Sequence, residues 1–217
     1  MSPEPDFRPP PAQKLTLTGP SGSLEAILEE PAGADGKRFA VVCHPHPQFG
    51  GTMDNKVVHT LARTLQELGL CTLRFNFRGV GASAGEYAEG VGETDDALAV
   101  VDFGLARWPG ARPWLAGFSF GSFVALKAAN ARPQCEQLIT VAPAVQRFDF
   151  TSLAVPSCPW LVVQGDADEL VDHRAVLEWT RTLQPPPRVR VLQGVDHFFH
   201  GRLHELKDVL RAELAAR

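Results

Sequence analysis

The sequence has no lysine- or arginine-rich run, and its 21 basic residues are outnumbered by 25 acidic ones, for a net charge of -4. A nucleic-acid binder would carry a basic stripe, so that class is not expected. No apolar stretch approaches the length of a membrane span, and no membrane partner is expected. The opening residues Met1 to Asp6 lack the basic-then-apolar layout of a secretory signal, which reads as a cytoplasmic protein. Cysteine is sparse: Cys43, Cys71, Cys135 and Cys158 are far apart, with no Cys-x-x-Cys pair for zinc or redox work. All four are expected to be reduced and inert. There is no internal repeat and no linker-like break. The chain reads as an irregular tail over 1–12 followed by one domain over 13–217.

What is present is an alternation of strands and helices. Lys14 to Thr18 and Leu24 to Leu28 form two short strands around Gly19-Pro20-Ser21-Gly22. Phe39 to Cys43 is a compact apolar run, as expected of a strand covered on both faces. Asp54 to Leu68 has helical apolar spacing and stops at Gly69. Further strands are expected at Leu70 to Phe77, Trp114 to Phe118, Gln137 to Val141, Trp160 to Val163 and Arg188 to Leu192. Helices are expected at Thr94 to Trp108, Ser122 to Asn130, Val171 to Leu183 and Leu203 to Leu214. This order implies an α/β fold, a mostly parallel central sheet with helices on both faces.

Two segments match Gly-x-Ser-x-Gly, one around Ser119 and one around Ser83. A nucleophile elbow needs a strand ending at the serine and a helix starting directly after it, with small residues where the two approach. Ser119 has both. Ser83 follows Arg78-Gly79 and precedes Gly85, Gly90 and Gly92, so it reads as part of a glycine-rich loop. A serine hydroxyl needs a histidine base and an acid to orient that base. His197 follows the last strand, at the sheet edge where open α/β folds bind ligands. The acid should come from the loop Gln164 to Val171, which offers Asp166 and Asp168, and the residues alone do not separate them. His200 and His204, spaced i, i+4, read as a solvated helix start rather than a metal pair.

The elbow and the order serine, aspartate, histidine resemble the α/β-hydrolase superfamily. So do Arg78-Gly79-Val80-Gly81-Ala82-Ser83 and the turns Gly165-x-x-Asp168 and Gly194-x-x-His197. The stretch His44 to Lys56 is similar to that of small lidless bacterial members related to carboxylesterases and dienelactone-hydrolase-like enzymes. The resemblance covers the chain from about Phe39 onward, and it implies that Asp168 is the acid. An oxyanion hole needs two backbone N–H groups. One is that of Phe120, after the nucleophile. The other should follow the strand ending at Cys43, where Pro45 and Pro47 have no N–H. The superfamily's pattern then points to His46, with Gln48 second, although many relatives have a Gly-rich His-Gly segment here.

These features lead to an expected serine hydrolase acting on a small acyl ester or thioester, with a small-molecule substrate as its partner and neither cofactor nor metal. The His44-x-His46 pair could share one strand face, but no further ligand cluster accompanies it. A dinucleotide-binding domain is the rival, because Gly79-x-Gly81-x-x-Ala84 follows a strand. The helix that should open inside that motif is delayed, and the next strand ends without an acid for a ribose. A hydrolase fold kept only for binding is a second rival, and the full set Ser119, Asp168 and His197 argues against it. Ala142 to Pro159 is too short for a multi-helix lid. An open site is therefore expected, bordered by Phe118, Phe120, Phe148, Phe150, Phe198 and Phe199.

Overall fold

The computed structural model describes residues 8–215 of the chain. Among them, eight strands form one sheet: β1 (Ala12–Gly19), β2 (Gly22–Glu29), β3 (Arg38–Cys43), β4 (Cys71–Phe75), β5 (Arg112–Phe118), β6 (Gln137–Val141), β7 (Trp160–Gly165) and β8 (Arg188–Leu192). Five helices accompany them: α1 (Lys56–Glu67), α2 (Gly92–Arg107), α3 (Phe120–Ala131), α4 (His173–Thr182) and α5 (Leu203–Leu214). The strand order is β1-β2-β4-β3-β5-β6-β7-β8. The β1–β2 and β2–β4 pairs are antiparallel, and every other pair is parallel. The expected tail lies partly outside the described residues. Its last member, Ala12, already pairs with Glu29 in β1.

Alternation along the central strands sends side chains to two separate cores. Phe39, Val41 and Cys43 of β3 belong to the core on the face covered by α2, α3 and α4, which also holds Val100, Val124 and Trp179. Ala40 and Val42 belong to the core on the other face, together with Val58 and Leu61 of α1 and Leu206 and Leu210 of α5. Burial on both faces is what the continuous apolar run of β3 requires. Asn55 caps α1 by accepting from the Val57 amide at 2.9 Å, and Asp172 caps α4 in the same way through Arg174. No helix among the described residues is long and apolar enough to cross a membrane.

The chain leaves β3 for β4 on one side and returns to β5 on the other. The loops after β3 and β5 therefore diverge at the carboxyl edge of the sheet and leave a crevice there.

Candidate active site

Ser119 sits between β5 and α3 with φ 54° and ψ -116°. A non-glycine residue in that region is strained, and only the surrounding packing holds it. The flanking glycines are required by contact. A Cβ on Gly117 would lie 2.1 Å from the Gly121 carbonyl oxygen, and one on Gly121 would lie 2.3 Å from that of Cys43. The Ser119 amide donates to the Val141 carbonyl at 2.8 Å, tying the turn to β6. Helix α3 opens at Phe120, two residues earlier than the sequence implied. The Phe120 amide is thus one of the first-turn N–H groups without a partner inside the helix.

The structure brings His197 and Asp168 to this serine. His197 Nε2 lies 3.2 Å from Ser119 Oγ, and Nδ1 lies 2.8 Å from Asp168 Oδ2. A carboxylate accepts, so Nδ1 carries the proton and the Nε2 lone pair faces the hydroxyl. Gln164 Nε2 donates to the same Asp168 oxygen at 2.9 Å, while the Leu170 and Val171 amides donate to the other. Burial opposes the Asp168 charge, but the hydrogen bond and charge of His197 and these amides outweigh it, so the carboxyl stays below its usual range. A Cβ on Gly165 would meet the Val195 carbonyl at 2.1 Å, so this glycine lets the two loops close on each other.

The neighbouring acids do other work. Asp166 Oδ1 accepts from the Gly194 amide at 2.6 Å, and Asp196 accepts from the amide and ring of His200. Ser83 is buried: its hydroxyl donates to the Asn76 carbonyl at 2.7 Å and accepts from the Glu25 amide at 2.9 Å. Its loop packs on β2, where a Cβ on Gly81 would meet Glu25. The glycine spacing that resembles a dinucleotide fingerprint is accounted for by that packing.

His44 and His46 differ completely. His44 is buried, and its Nε2 accepts from the Phe77 amide at 3.0 Å. Its Nδ1 must therefore donate, and it does so to the Pro45 carbonyl at 2.6 Å. Burial pushes its pKa down to about 4, against a smaller opposing effect of that hydrogen bond. Both ring nitrogens are occupied. His46 caps the 3-10 turn Pro47–Phe49, accepting from the Gln48 amide at 3.2 Å, and its Nε2 lies 3.1 Å from the Tyr87 hydroxyl. The His46 carbonyl accepts from Phe49 and Gly51, which closes the loop on itself.

Ser119, Phe120, His46 and His197 share the wall of one cavity of about 350 Å³. Phe148 and Phe198 also line it, as expected. Phe118, Phe150 and Phe199 do not: they are at most 1 % exposed and belong to the cores. Phe150 packs on Trp179 at 5.0 Å, and Phe118 lies behind the His197 ring at 5.0 Å. Sequence reasoning missed Phe49, Arg147 and Leu170 on the wall, and Gln164 and Tyr87 behind it. Arg147 lies in the short β6–β7 connection at the site's edge of the sheet, and that position was the available signal.

Residues 40–155 match the serine aminopeptidase S33 family. An uncharacterized protein of Rickettsia prowazekii is 33 % identical over 206 residues, covering 91 % of this chain and 86 % of that protein. Among solved structures, an α/β serine hydrolase homologue from Coxiella burnetii is 46 % identical with a TM-score of 0.90, covering 93 % of this chain and 97 % of its own. A lidless α/β serine hydrolase from Xanthomonas campestris is 44 % identical with a TM-score of 0.88, covering 96 % and 95 %. The sheet, the two helical layers and the short β6–β7 connection agree with these likenesses: this chain belongs to the serine aminopeptidase S33 family and has the α/β-hydrolase fold without a lid.

Proposed function

We propose that the protein hydrolyses small acyl esters or thioesters through an acyl-enzyme on Ser119. The observation that carries this reading is the hydrogen-bonded chain from Ser119 through His197 to Asp168 on the wall of an apolar cavity. In the first step Ser119 Oγ attacks the acyl carbon while His197 Nε2 takes the hydroxyl proton. Asp168 holds the ring in the required tautomer and stabilises the imidazolium. The imidazolium proton then passes to the leaving alcohol or thiol. Water, activated by the same nitrogen, releases the acid. The Phe120 and His46 amides serve the developing oxyanion in this reading. His46 is favoured over Gln48 because the Gln48 amide is engaged with the His46 ring. Phe49, Phe148 and Phe198 give the cavity apolar walls that suit a hydrocarbon acyl group.

The test is labelling with a fluorophosphonate, paired with turnover of p-nitrophenyl butyrate and of an aminoacyl p-nitroanilide. Wild type should be labelled at Ser119 and cleave the ester faster than the anilide. Ser119→Ala should remove both labelling and turnover, whereas Ser83→Ala, while folded, should keep labelling. A folded wild type that is neither labelled nor active on either substrate would overturn the proposal. A preference for the aminoacyl anilide would replace the ester reading with the aminopeptidase activity of the family's description.

A further inference from the structure

The charge on the cavity wall is one-sided. Arg147 is the one permanently charged side chain lining it, and among the described residues no carboxylate does. Arg147 is exposed and makes no ion pair among the described residues. The acid nearest in sequence, Asp149, is turned to its own loop, where it accepts from the Thr151 hydroxyl at 2.7 Å and the Ser152 amide at 3.1 Å. Glu169 lies close to the site but accepts from the His197 amide. Glu93 lies behind His46 and is fully buried, its two oxygens taken by the Ala88 and Gly90 amides. The field of Arg147 does reach the site. The His46 ring is held below its ordinary pKa first by burial, with Glu93 opposing and the Arg147 charge adding to the depression.

A protonated amino terminus would find no counter-ion on such a wall and would face a cation of its own sign. A carboxylate would find a guanidinium with its donors unspent. We propose that Arg147 selects substrates carrying a carboxylate away from the scissile carbonyl, so that the substrates are anionic acyl esters. The inference rests on Ser119 being the nucleophile. Arg147 then orients the substrate and takes no part in bond making. Its position on an exposed loop makes the attraction sensitive to salt.

Two matched ester pairs test this. Acetoxybenzoate and its methyl ester differ in charge on the alcohol side, and monophenyl adipate and phenyl hexanoate differ on the acyl side. Wild type should favour the charged member of at least one pair in kcat/KM by about tenfold at low ionic strength, the size of a charge-assisted hydrogen bond. Arg147→Gln should bring that ratio close to one, Arg147→Lys should restore part of it, and Arg147→Glu should invert it. Added salt should shrink the wild-type ratio. Neutral esters turned over by wild type with no charge preference in either pair would sink this inference alone. So would a ratio unchanged in Arg147→Gln. No turnover of any ester, together with no fluorophosphonate labelling, would instead remove the Ser119 reading beneath it.

Discussion

Asp166 and Asp168 stand two residues apart on one loop and hold different partners: Asp166 binds the Gly194 amide at 2.6 Å, and Asp168 binds the His197 ring at 2.8 Å. The first fixes the path of the loop that carries His197, and the second fixes the ring. Asp168→Asn would leave the ring in the wrong tautomer, and we expect kcat on p-nitrophenyl butyrate to fall on the order of 10⁴-fold. Asp166→Asn keeps an acceptor oxygen for Gly194. It should cost about 1 kcal/mol or less of stability, read by urea unfolding, with a far smaller loss of kcat. Equal kinetic losses in the two variants would mean the division of labour is wrong.

Buried His44 should make the fold acid-sensitive. Its pKa lies near 4 in the folded chain against 6.5 for an ordinary histidine. Between those values the unfolded chain binds a proton here that the folded chain does not, so stability falls as pH drops through this window and levels off near its lower end. The full effect is on the order of 3 kcal/mol. Urea midpoints measured at pH 7.5 and pH 5 (about one unit above and one and a half below the ordinary value) should differ more in wild type than in His44→Gln. An identical pH dependence in the two proteins would contradict the assignment.

Chain length in the acyl group should matter little beyond the cavity. Each methylene contributes about 0.8 kcal/mol only where it leaves water. Among the described residues no lid covers the mouth, and the connection from Ala142 to Pro159 is all that separates β6 from β7. We expect kcat/KM on p-nitrophenyl esters to peak at short acyl chains and decline for long ones. A continuous rise to long chains, measured below micelle formation, would reveal an enclosed acyl tunnel.

The sheet was legible because strands buried on both faces write themselves as short apolar runs, and β3 and β5 to β7 do so plainly. The start of α3 was not. Gly121 reads as the end of the turn, with Ser122 as the first helical residue. In the fold Gly121 lies against the Cys43 carbonyl, and the Ser122 hydroxyl donates to the carbonyls of Gly117 and Val141. Tertiary contacts override local preference there. The choice between Asp166 and Asp168 depended on the path of a loop, which residue types alone do not specify. The phenylalanines misled for a related reason: Phe118 and Phe199 adjoin the site in sequence, yet their side chains point into the core shared with α1 and α5. For Arg147 the only signal was its place in a short loop at the sheet's carboxyl edge, because one charge carries no periodicity.

The backbone of Ser119 sets usefulness against durability. At φ 54° and ψ -116° this position suits glycine better than any residue with a Cβ. The tension is built in when the chain folds, and on the proposed reading it holds the hydroxyl in place before substrate binds. Ser119→Ala and Ser119→Gly both remove the hydroxyl, but only glycine relieves the backbone. The glycine variant should be the more stable of the two by about 1 kcal/mol, the relief exceeding its added chain entropy. Thermal unfolding of the pair would measure it, and an alanine variant at least as stable would show the turn to be unstrained. On the proposed reading, the chain could be made sturdier at the residue its chemistry requires.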